Sequence, residues 1–248
     1  GDTIILRGVF REPISVDKEL HFRGGVLDGI GLSEEEAGAL VHVESGGSDS
    51  SFTGTTFRFV DDTEKYAVLV WGHGVSFLKC TFKGNDGYAV LLDEVYDPYF
   101  YGCRFAGNQA DIVGSADGLY AERCLHRNQW GDGAVGVWGL ASLYNCRFDL
   151  GLGTAIGLMG GGGKGLAVSI DELPPPVDGS SIDLCSINRS YNGIYTEYSE
   201  GLTVSGTQGR RLGWGFFDGW GDYMEITDCN VLACGGDFAI DVETWYGS

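Results

Sequence analysis

A short pattern recurs at a nearly constant interval through residues 66–148 of this chain. Each copy is an aliphatic run followed by a cysteine, and the four cysteines are Cys80, Cys103, Cys124 and Cys146. Successive cysteines are 23, 21 and 22 residues apart, and the aliphatic runs keep the same interval within one residue. A fixed period of this length is typical of solenoids, in which each repeat buries its apolar face on its neighbours.

The composition favours strands over helices within each repeat. Gly makes up 42 of the 248 residues without a Gly-X-Y period, and short apolar runs separate the glycines. This pattern indicates short strands joined by many tight turns. An apolar content of 43% with only 5 prolines argues against disorder. We therefore predict an all-β parallel solenoid of about nine to ten coils.

The repeat extends beyond its clearest part towards both termini. Residues 3–31 contain three predicted strands, and Thr55 takes the cysteine position of the coil before Cys80. Residues 32–39 are predicted to include one helical turn that begins with a capping box. The later coils continue to the end of the sequence, so residues 1–248 are predicted to form one domain.

An insertion interrupts the period after the fourth cysteine. Cys185 follows Cys146 by 39 residues, so we expect an inserted loop at about 160–181, which contains a glycine run and three successive prolines. Such a loop suits a flap over a surface groove. The next step, from Cys185 to Cys229, is 44 residues, or two coils with Gly206 near the empty position.

Several segments resemble the repeats of right-handed parallel β-helix proteins of the pectin-lyase-like superfamily. They are residues 1–6 (GDTIIL), 25–29 (GVLDG), 84–85 (GN) and 145–148 (NCRF). The resemblance covers nearly the whole chain and is architectural. It implies a single-stranded right-handed parallel β-helix and, more loosely, carbohydrate chemistry. We separately expect a secreted or extracellular location.

The enzyme signatures of that superfamily are not found in the sequence. The Asn-Thr-Asp, Asp-Asp and His-Gly set of polygalacturonases and the Arg-rich motif of pectate lyases are missing. Residues 96–99 (YDPY) approach the Asp-Pro-His of alginate epimerases but have Tyr where His is expected. No family catalytic residue is therefore carried over to this chain.

The cysteines are predicted to form one inward ladder of reduced thiols rather than a disulfide framework. Cysteines one coil apart in a parallel stack point the same way, so they do not face each other as a disulfide requires. The ladder members are Cys80, Cys103, Cys124, Cys146, Cys185 and Cys229. A local bridge between Cys229 and Cys234 remains an alternative.

The formal charge of −19 restricts the partners of this protein. Such a surface repels phosphate backbones, so we expect no nucleic-acid partner, and no stretch is long and apolar enough to suggest a membrane span. An anionic glycan would need bridging by Ca²⁺, whose natural ligands are carboxylates. We expect no other cofactor and no other metal, since none of the four histidines has metal-ligand spacing.

Alternation along the strands predicts which side chains face outward. The predicted inward row is Val68, Val90, Ile112, Val135, Ile156, Ile194, Phe216 and Ile240. One predicted outward row is Trp71, Asp93, Ser115, Trp138, Met159, Glu197, Gly219 and Glu243. A second is Leu69, Leu91, Val113, Gly136, Gly157, Tyr195, Phe217 and Asp241.

Aromatic side chains mixed with isolated carboxylates are typical of a glycan groove, where rings stack on sugars and carboxylates supply acid and base. The predicted catalytic residues are Glu197, Asp218, Asp241 and Asp93. The predicted substrate-binding residues are Trp71, Trp138, Tyr195, Phe217, Trp220 and Arg211. We therefore expect an oligo- or polysaccharide partner, with a glycoside hydrolase or a lyase or epimerase activity.

Two alternatives remain open. The apolar outward patch can instead be covered by the inserted loop or by other subunits, as in a non-catalytic binding or structural β-helix that forms a homotrimer. A Ca²⁺-dependent polyuronate lyase would need a catalytic Lys or Arg, for which Lys164 and Arg211 are the candidates. His126 is expected in the core, and His73 is a weak candidate base.

Overall fold

The computed structural model describes residues 1–30, 38–60, 65–127, 129, 131, 133–149, 153–159, 177–222, 224–236 and 239–243. At 177–178, 198–200, 222 and 243 only the backbone is described. The predicted helical turn lies outside these residues. So do Lys164 and most of the predicted insertion, whose described part begins at residue 177.

The described residues form short strands, with a 3₁₀ turn at Ser45–Gly47. The strands of the first half are β1 Asp2–Ile5, β2 Val9–Phe10, β3 Ile14–Val16, β4 Leu20–Arg23, β5 Val26–Asp28, β6 Ala39–Val43, β7 Ser51–Thr53, β8 Thr56–Arg58, β9 Tyr66–Val70, β10 Ser76–Leu78, β11 Thr81–Lys83, β12 Tyr88–Tyr96, β13 Tyr99–Tyr101, β14 Arg104–Ala106 and β15 Ala110–Asp117. Those of the second half are β16 Leu119–Glu122, β17 Leu125–Arg127, β18 Gly133–Trp138, β19 Ala141–Tyr144, β20 Arg147–Asp149, β21 Thr154–Met159, β22 Val177–Asp178, β23 Ser181–Asp183, β24 Ser186–Asn188, β25 Asn192–Glu200, β26 Thr203–Ser205, β27 Gln208–Leu212, β28 Phe217–Asp222, β29 Glu225–Thr227, β30 Asn230–Cys234 and β31 Ile240–Glu243.

These strands build three parallel sheets along one axis. Sheet A runs β1, β4, β7, β10, β13, β16, β19, β23, β26, β29. Sheet B runs β2, β5, β8, β11, β14, β17, β20, β24, β27, β30. Sheet C runs β3, β6, β9, β12, β15, β18, β21, β25, β28, β31, and β22 pairs with β25 outside this order. Each coil contributes one strand to each sheet, and the chain is a right-handed parallel β-helix of about ten coils, which confirms the predicted fold.

The interior is stacked in register. In sheet B, the rings of Phe57, Phe82 and Phe105 lie parallel, with centroids 4.7 and 4.8 Å apart. In sheet A, Phe52 stacks on Phe22 at 4.8 Å and on Phe77 at 5.3 Å. These distances match the spacing of about 4.8 Å between parallel strands, so each coil packs its side chains directly on the same side chains of the next.

The cysteine ladder fills the corner between sheets A and B. All seven cysteines are free, so the alternative bridge between Cys229 and Cys234 is wrong. The pKa of Cys80 is raised because the adjacent Cys103 thiol hydrogen-bonds to it and burial disfavours the thiolate. Thr55 occupies a ladder position as predicted, whereas the position predicted near Gly206 belongs to Thr207, which donates to the Ser205 carbonyl.

The corner explains why ladder side chains are small. The residue before each ladder position has a positive φ, for example Lys79 at 54°, Arg123 at 55° and Asn145 at 52°. The chain turns there within one residue and leaves little space for the next side chain. Each thiol lies close to the carbonyl oxygen two residues earlier, at 3.7 Å for both Cys80 and Cys103.

One coil places a polar group in the phenylalanine stack. His126 is fully buried, as expected for a core histidine, and its ring lies between Phe105 and Phe148 at 4.7 and 4.6 Å. Its Nδ1 lies 2.7 Å from Oδ2 of the buried Asp111, which also accepts a hydrogen bond from Asn108 at 2.8 Å. Burial raises the pKa of Asp111, and the hydrogen bond from His126 opposes this rise. Gln129 is a further donor to Asp111.

We predict that His126→Phe destabilises the protein although phenylalanine suits the stack. The substitution removes a donor from the buried Asp111 carboxyl, which costs about 1–3 kcal/mol in free energy of unfolding. Urea denaturation of wild type, His126→Phe, Asp111→Asn and the double variant forms a double-mutant cycle. We expect the double variant to lose less than the sum of the single losses; additive losses, or a neutral His126→Phe, would contradict this role for the pair.

Candidate functional site

The outward surface of sheet C, here called the C face, carries most of the predicted site. Register pairs place one row of outward residues along the helix axis: His42, Leu69, Leu91, Val113, Gly136, Gly157, Tyr195, Asp218 and Asp241. The predicted second outward row is therefore largely confirmed, but its seventh member is Asp218 rather than Phe217.

The error in that row arises from a shift of one residue in β28. Ile194 pairs with Phe217 and not with Phe216, and both phenylalanines are fully buried. Phe217 therefore belongs to the inward row, and its predicted role in substrate binding is wrong. The last member of the inward row, Ile240, is 47% exposed because it lies in the terminal coil.

A second row lies two residues further along the strands. Ser115, Trp138, Met159 and Glu197 are in register in successive coils. Because of the one-residue shift in β28, the next member of this row is Trp220, which lies two residues beyond Asp218 and pairs with Glu243. Gly219 was predicted in this row but pairs with Thr196 and is buried.

Four of the predicted residues meet near the C-terminal end of the C face, and we call Tyr195, Glu197, Asp218 and Asp241 the carboxyl cluster. Tyr195, Asp218 and Asp241 are register neighbours in three successive coils. The Tyr195 hydroxyl donates a hydrogen bond to Glu197 Oε1. Trp220, two residues beyond Asp218, is 40% exposed beside the cluster. The structure thus brings these residues together as predicted.

The pKa of Asp218 lies above the ordinary value for an aspartate. Burial raises the pKa of Asp218, and the charge of Asp241 raises it further. Two carboxylates on adjacent strands repel each other, so protonating one of them removes the repulsion. The native protein therefore holds a proton on Asp218 at a higher pH than an exposed aspartate does.

The exposed tryptophans continue the C face away from the cluster. Trp138 is 46% exposed and Trp71 is 44% exposed, and Trp71 makes an edge contact with the His42 ring at 4.2 Å between centroids. Between these tryptophans and the cluster, the first outward row contains Gly136 and Gly157, which have no side chains and so leave the surface low. A Cβ added at Gly136 would meet nothing closer than Val113 Cγ1 at 3.8 Å, so steric crowding does not require glycine there.

Two further predicted residues do not join the cluster. Asp93 is exposed on β12, four coil steps from β25, which is about 19 Å at the spacing of parallel strands. Arg211 lies on β27 in sheet B, so its predicted place in the groove of the C face is wrong. The C face therefore contains neither of the two basic candidates for a lyase within its described residues.

Arg211 belongs to a group of cationic side chains that the sequence did not identify as one surface. Eight lysines and arginines lie on the outward rows of sheet B from β8 to β27 or at the corner that follows these strands, a surface here called the basic face. They are Arg58, Lys83, Arg104, Arg127, Arg147, Arg189, Arg210 and Arg211. The period of the repeat could have aligned them, but only the doublet Arg210-Arg211 stood out in the linear sequence.

No group of three or more His, Cys, Asp or Glu side chains in the described residues has metal-binding geometry. The described residues include no helix long and apolar enough to span a bilayer. The possible Ca²⁺ site therefore stays a prediction without a located ligand set.

Comparisons with known proteins find similarity only to solved structures, at low sequence identity. No family model and no curated protein matches the chain. Among solved structures, it is similar to the Streptococcus pneumoniae surface protein and adhesin PfbA, with 9% identity, a TM-score of 0.44, and coverage of 98% of this chain and 92% of that one. It is also similar to the pectin methylesterase of Aspergillus niger (14% identity, TM-score 0.39, 96% and 78% coverage). A third similar structure is the Dettilon tailspike protein (11% identity, TM-score 0.43, 97% coverage of this chain), and the chain spans 55% of its length.

The raised pKa of Asp218 gives a prediction that needs no substrate. Asp241→Asn removes the neighbouring charge, so we expect the pKa of Asp218 to fall towards its ordinary value. The native state of the variant then holds the Asp218 proton less tightly than wild type does. As the pH rises from the unfolded-state to the folded-state pKa of Asp218, the variant therefore loses less free energy of unfolding than wild type. NMR titration of the aspartate carboxyls measures the shift. Asp117→Asn, which changes an exposed aspartate of β15, is the control and should leave Asp218 unchanged.

Proposed function

We propose that this protein hydrolyses glycosidic bonds in a neutral or cationic glycan bound along the C face. The observation that carries the proposal is the carboxyl cluster beside exposed tryptophans on one face of a rigid stack. Glycoside hydrolysis needs one protonated and one ionised carboxyl on either side of the scissile bond. In this proposal Asp218 supplies the protonated carboxyl and Glu197 the ionised one, from adjacent coils.

Asp218 is the proposed general acid. A general acid must keep its proton at the working pH, and burial together with Asp241 raises the pKa of Asp218. Asp241 is a positioning residue in this scheme, because its charge acts on the glycan through the proton of Asp218. The carboxyl of Asp218 is half-buried, which leaves an edge accessible to the leaving-group oxygen.

Glu197 is the proposed general base. The Tyr195 hydroxyl donates a hydrogen bond to this carboxyl and so holds its orientation. Glu197 lies one coil and two residues away from Asp218. This diagonal separates their Cα atoms by about 8 Å. We therefore propose the inverting mechanism, in which the two carboxyl groups lie about 6.5–9.5 Å apart and leave room for a water molecule. We expect a water molecule between Glu197 and the sugar as the nucleophile.

The tryptophans supply the binding surface of this proposal. Trp220 lies beside the cluster, Trp138 lies two coils from Glu197, and Trp71 lies three coils further. Their exposed faces suit stacking on sugar rings. Gly136 and Gly157 leave room between the tryptophans and the cluster for a glycan chain that follows the axis of the β-helix.

Turnover tests this assignment. Wild type and variants are incubated with a panel of α- and β-glucans, xylan and chitosan, and the release of reducing ends is measured. Asp218→Asn and Glu197→Gln should each lower the rate by about 10²–10⁴-fold, the usual contribution of an acid or base group, with the melting temperature retained. Asp93→Asn should retain turnover because Asp93 is remote from the cluster. Unchanged turnover in both cluster variants would contradict the proposal.

The stereochemistry is tested separately by NMR of the wild-type reaction. The first product anomer should have the configuration opposite to that of the bond cleaved.

A non-catalytic binding or structural role is the second candidate, favoured by the apolar part of the C face. Leu69, Leu91 and Val113 form a half-buried row beside the exposed Trp71 and Trp138. An apolar patch of this kind can also bind copies of the same chain, as in a homotrimer.

Light scattering after size exclusion separates the two candidates. A stable trimer that dissociates when Trp71 and Trp138 are replaced by serine would favour the structural role. A monomer for wild type and variant alike is the result expected for an open glycan groove.

A further inference from the structure

The basic face is unusual for a protein with a formal charge of −19. Half of the 16 lysines and arginines of the chain lie on it. The outward rows of sheet B contain only two described carboxylates, Asp28 and Asp149, and both are already engaged. Asp28 binds Arg58 at 3.0 Å, and Asp149 binds Arg189 at 3.0 Å. Apart from Arg147, the remaining cations of this face have no carboxylate partner among the described residues.

A surface depression lies at the C-terminal end of the basic face. Its volume is ≈ 430 Å³, and it is lined by Arg147, Ser186, Asn188, Gln208, Arg210 and Arg211. Each of these side chains offers a hydrogen-bond donor, and no acidic side chain lines the depression. Arg210 and Arg211 have no carboxylate partner among the described residues, and Arg147 has one only at 3.9 Å. The depression is therefore a concave surface of converging donors with a net positive charge.

The backbone at this depression is held in a conformation that costs energy for arginine. Arg189 and Arg211 have φ values of 58° and 54° at the corner after sheet B, where earlier coils place Gly84 and Gly107 at 62° and 65°. Side chains other than glycine and asparagine are uncommon in this left-handed region. Because Arg211 turns the chain there, Arg210 and Arg211 are both exposed although they are consecutive.

Two aromatic rings border the same corner. Tyr191, two residues after Arg189, and Trp214, three residues after Arg211, stack with centroids 6.3 Å apart. Both are exposed, at 54% and 38%. Rings beside donors are suited to a sugar, whose apolar face stacks while its hydroxyls accept and donate hydrogen bonds.

We propose that this depression binds the sulfate esters of a linear sulfated glycan that runs along the basic face. Three guanidinium groups with hydroxyl and amide donors suit an oxyanion with three terminal oxygens better than a carboxylate with two. The rows of sheet B repeat in register, so a linear polymer meets further cations at Arg104 and Arg127 in earlier coils. This binding site is on a different sheet from the carboxyl cluster and does not depend on hydrolysis there.

The groups at the depression, rather than the charge of the whole protein, decide which polyanion binds. Salt at 0.15 M screens charges beyond about 8 Å, so distant carboxylates act only weakly on a ligand held in the depression. Binding of single-stranded nucleic acid uses a run of aromatic platforms, whereas this corner has one pair, Tyr191 and Trp214.

The test compares binding of dextran sulfate by wild type, Arg211→Gly and Lys79→Gly at 0.15 M salt, using calorimetry. Glycine suits the positive φ at both positions, so neither change should lower the melting temperature. Lys79 is exposed at the corner between sheets A and B, so Lys79→Gly removes the same charge away from the depression. We expect Arg211→Gly to weaken binding at least tenfold and Lys79→Gly to change it less than twofold.

Parallel titrations with polygalacturonate, an oligonucleotide and unsulfated dextran decide the ligand class. Tighter binding of dextran sulfate than of all three supports the proposal. No binding of dextran sulfate, equal binding of polygalacturonate or the oligonucleotide, or equal loss in both glycine variants would overturn it. A concentration-dependent dimer that Arg211→Gly abolishes would also overturn it, because a second copy would then occupy the face. Glu197→Gln should bind dextran sulfate like wild type, so failure of the hydrolase proposal leaves this result unaffected.

Discussion

The parallel register between successive coils is the constraint on which the rest of this structure depends. Backbone hydrogen bonds between neighbouring strands fix each coil at one spacing above the last. Side chains at equivalent positions must then stack, which is why the interior consists of columns of phenylalanine, valine and cysteine. The same rule acts on the surface, where it converts residues distant in sequence, such as Tyr195, Asp218 and Asp241, into neighbours.

The period of the sequence was sufficient to predict the architecture and most of the C face. It placed Trp138 and Glu197 in one outward row and Tyr195 and Asp241 in the other, because one strand position fixes all others in its row. The cysteine ladder was predictable for the same reason, since a tight corner accepts a small side chain in every coil. The exposed state of Trp71 and Trp138 agrees with the outward row to which they were assigned.

The errors lie where the spacing departs from regular alternation. Phe216 and Phe217 are adjacent and both buried, so alternation alone cannot decide which of them continues the inward row. The same one-residue shift in β28 replaces Gly219 by Trp220 in the second row. The corner after sheet B exposes Arg210 and Arg211 together. It does so through a left-handed backbone conformation at Arg211, which the sequence does not indicate because arginine seldom adopts it. Sequence reasoning therefore placed Arg211 on the wrong sheet.

The polar layer formed by Asp111 and His126 has a consequence for how the chain finds its register. Four neighbouring coils with nearly the same letters could pair one turn out of place and still bury aliphatic side chains. A misthreaded turn would put the Asp111 carboxyl against a phenyl ring, without its donors, at a cost that apolar mismatches do not carry. One buried polar layer thus specifies the register of its coil. A repetitive polypeptide thereby has a single alignment of its coils in which this layer keeps its hydrogen bonds.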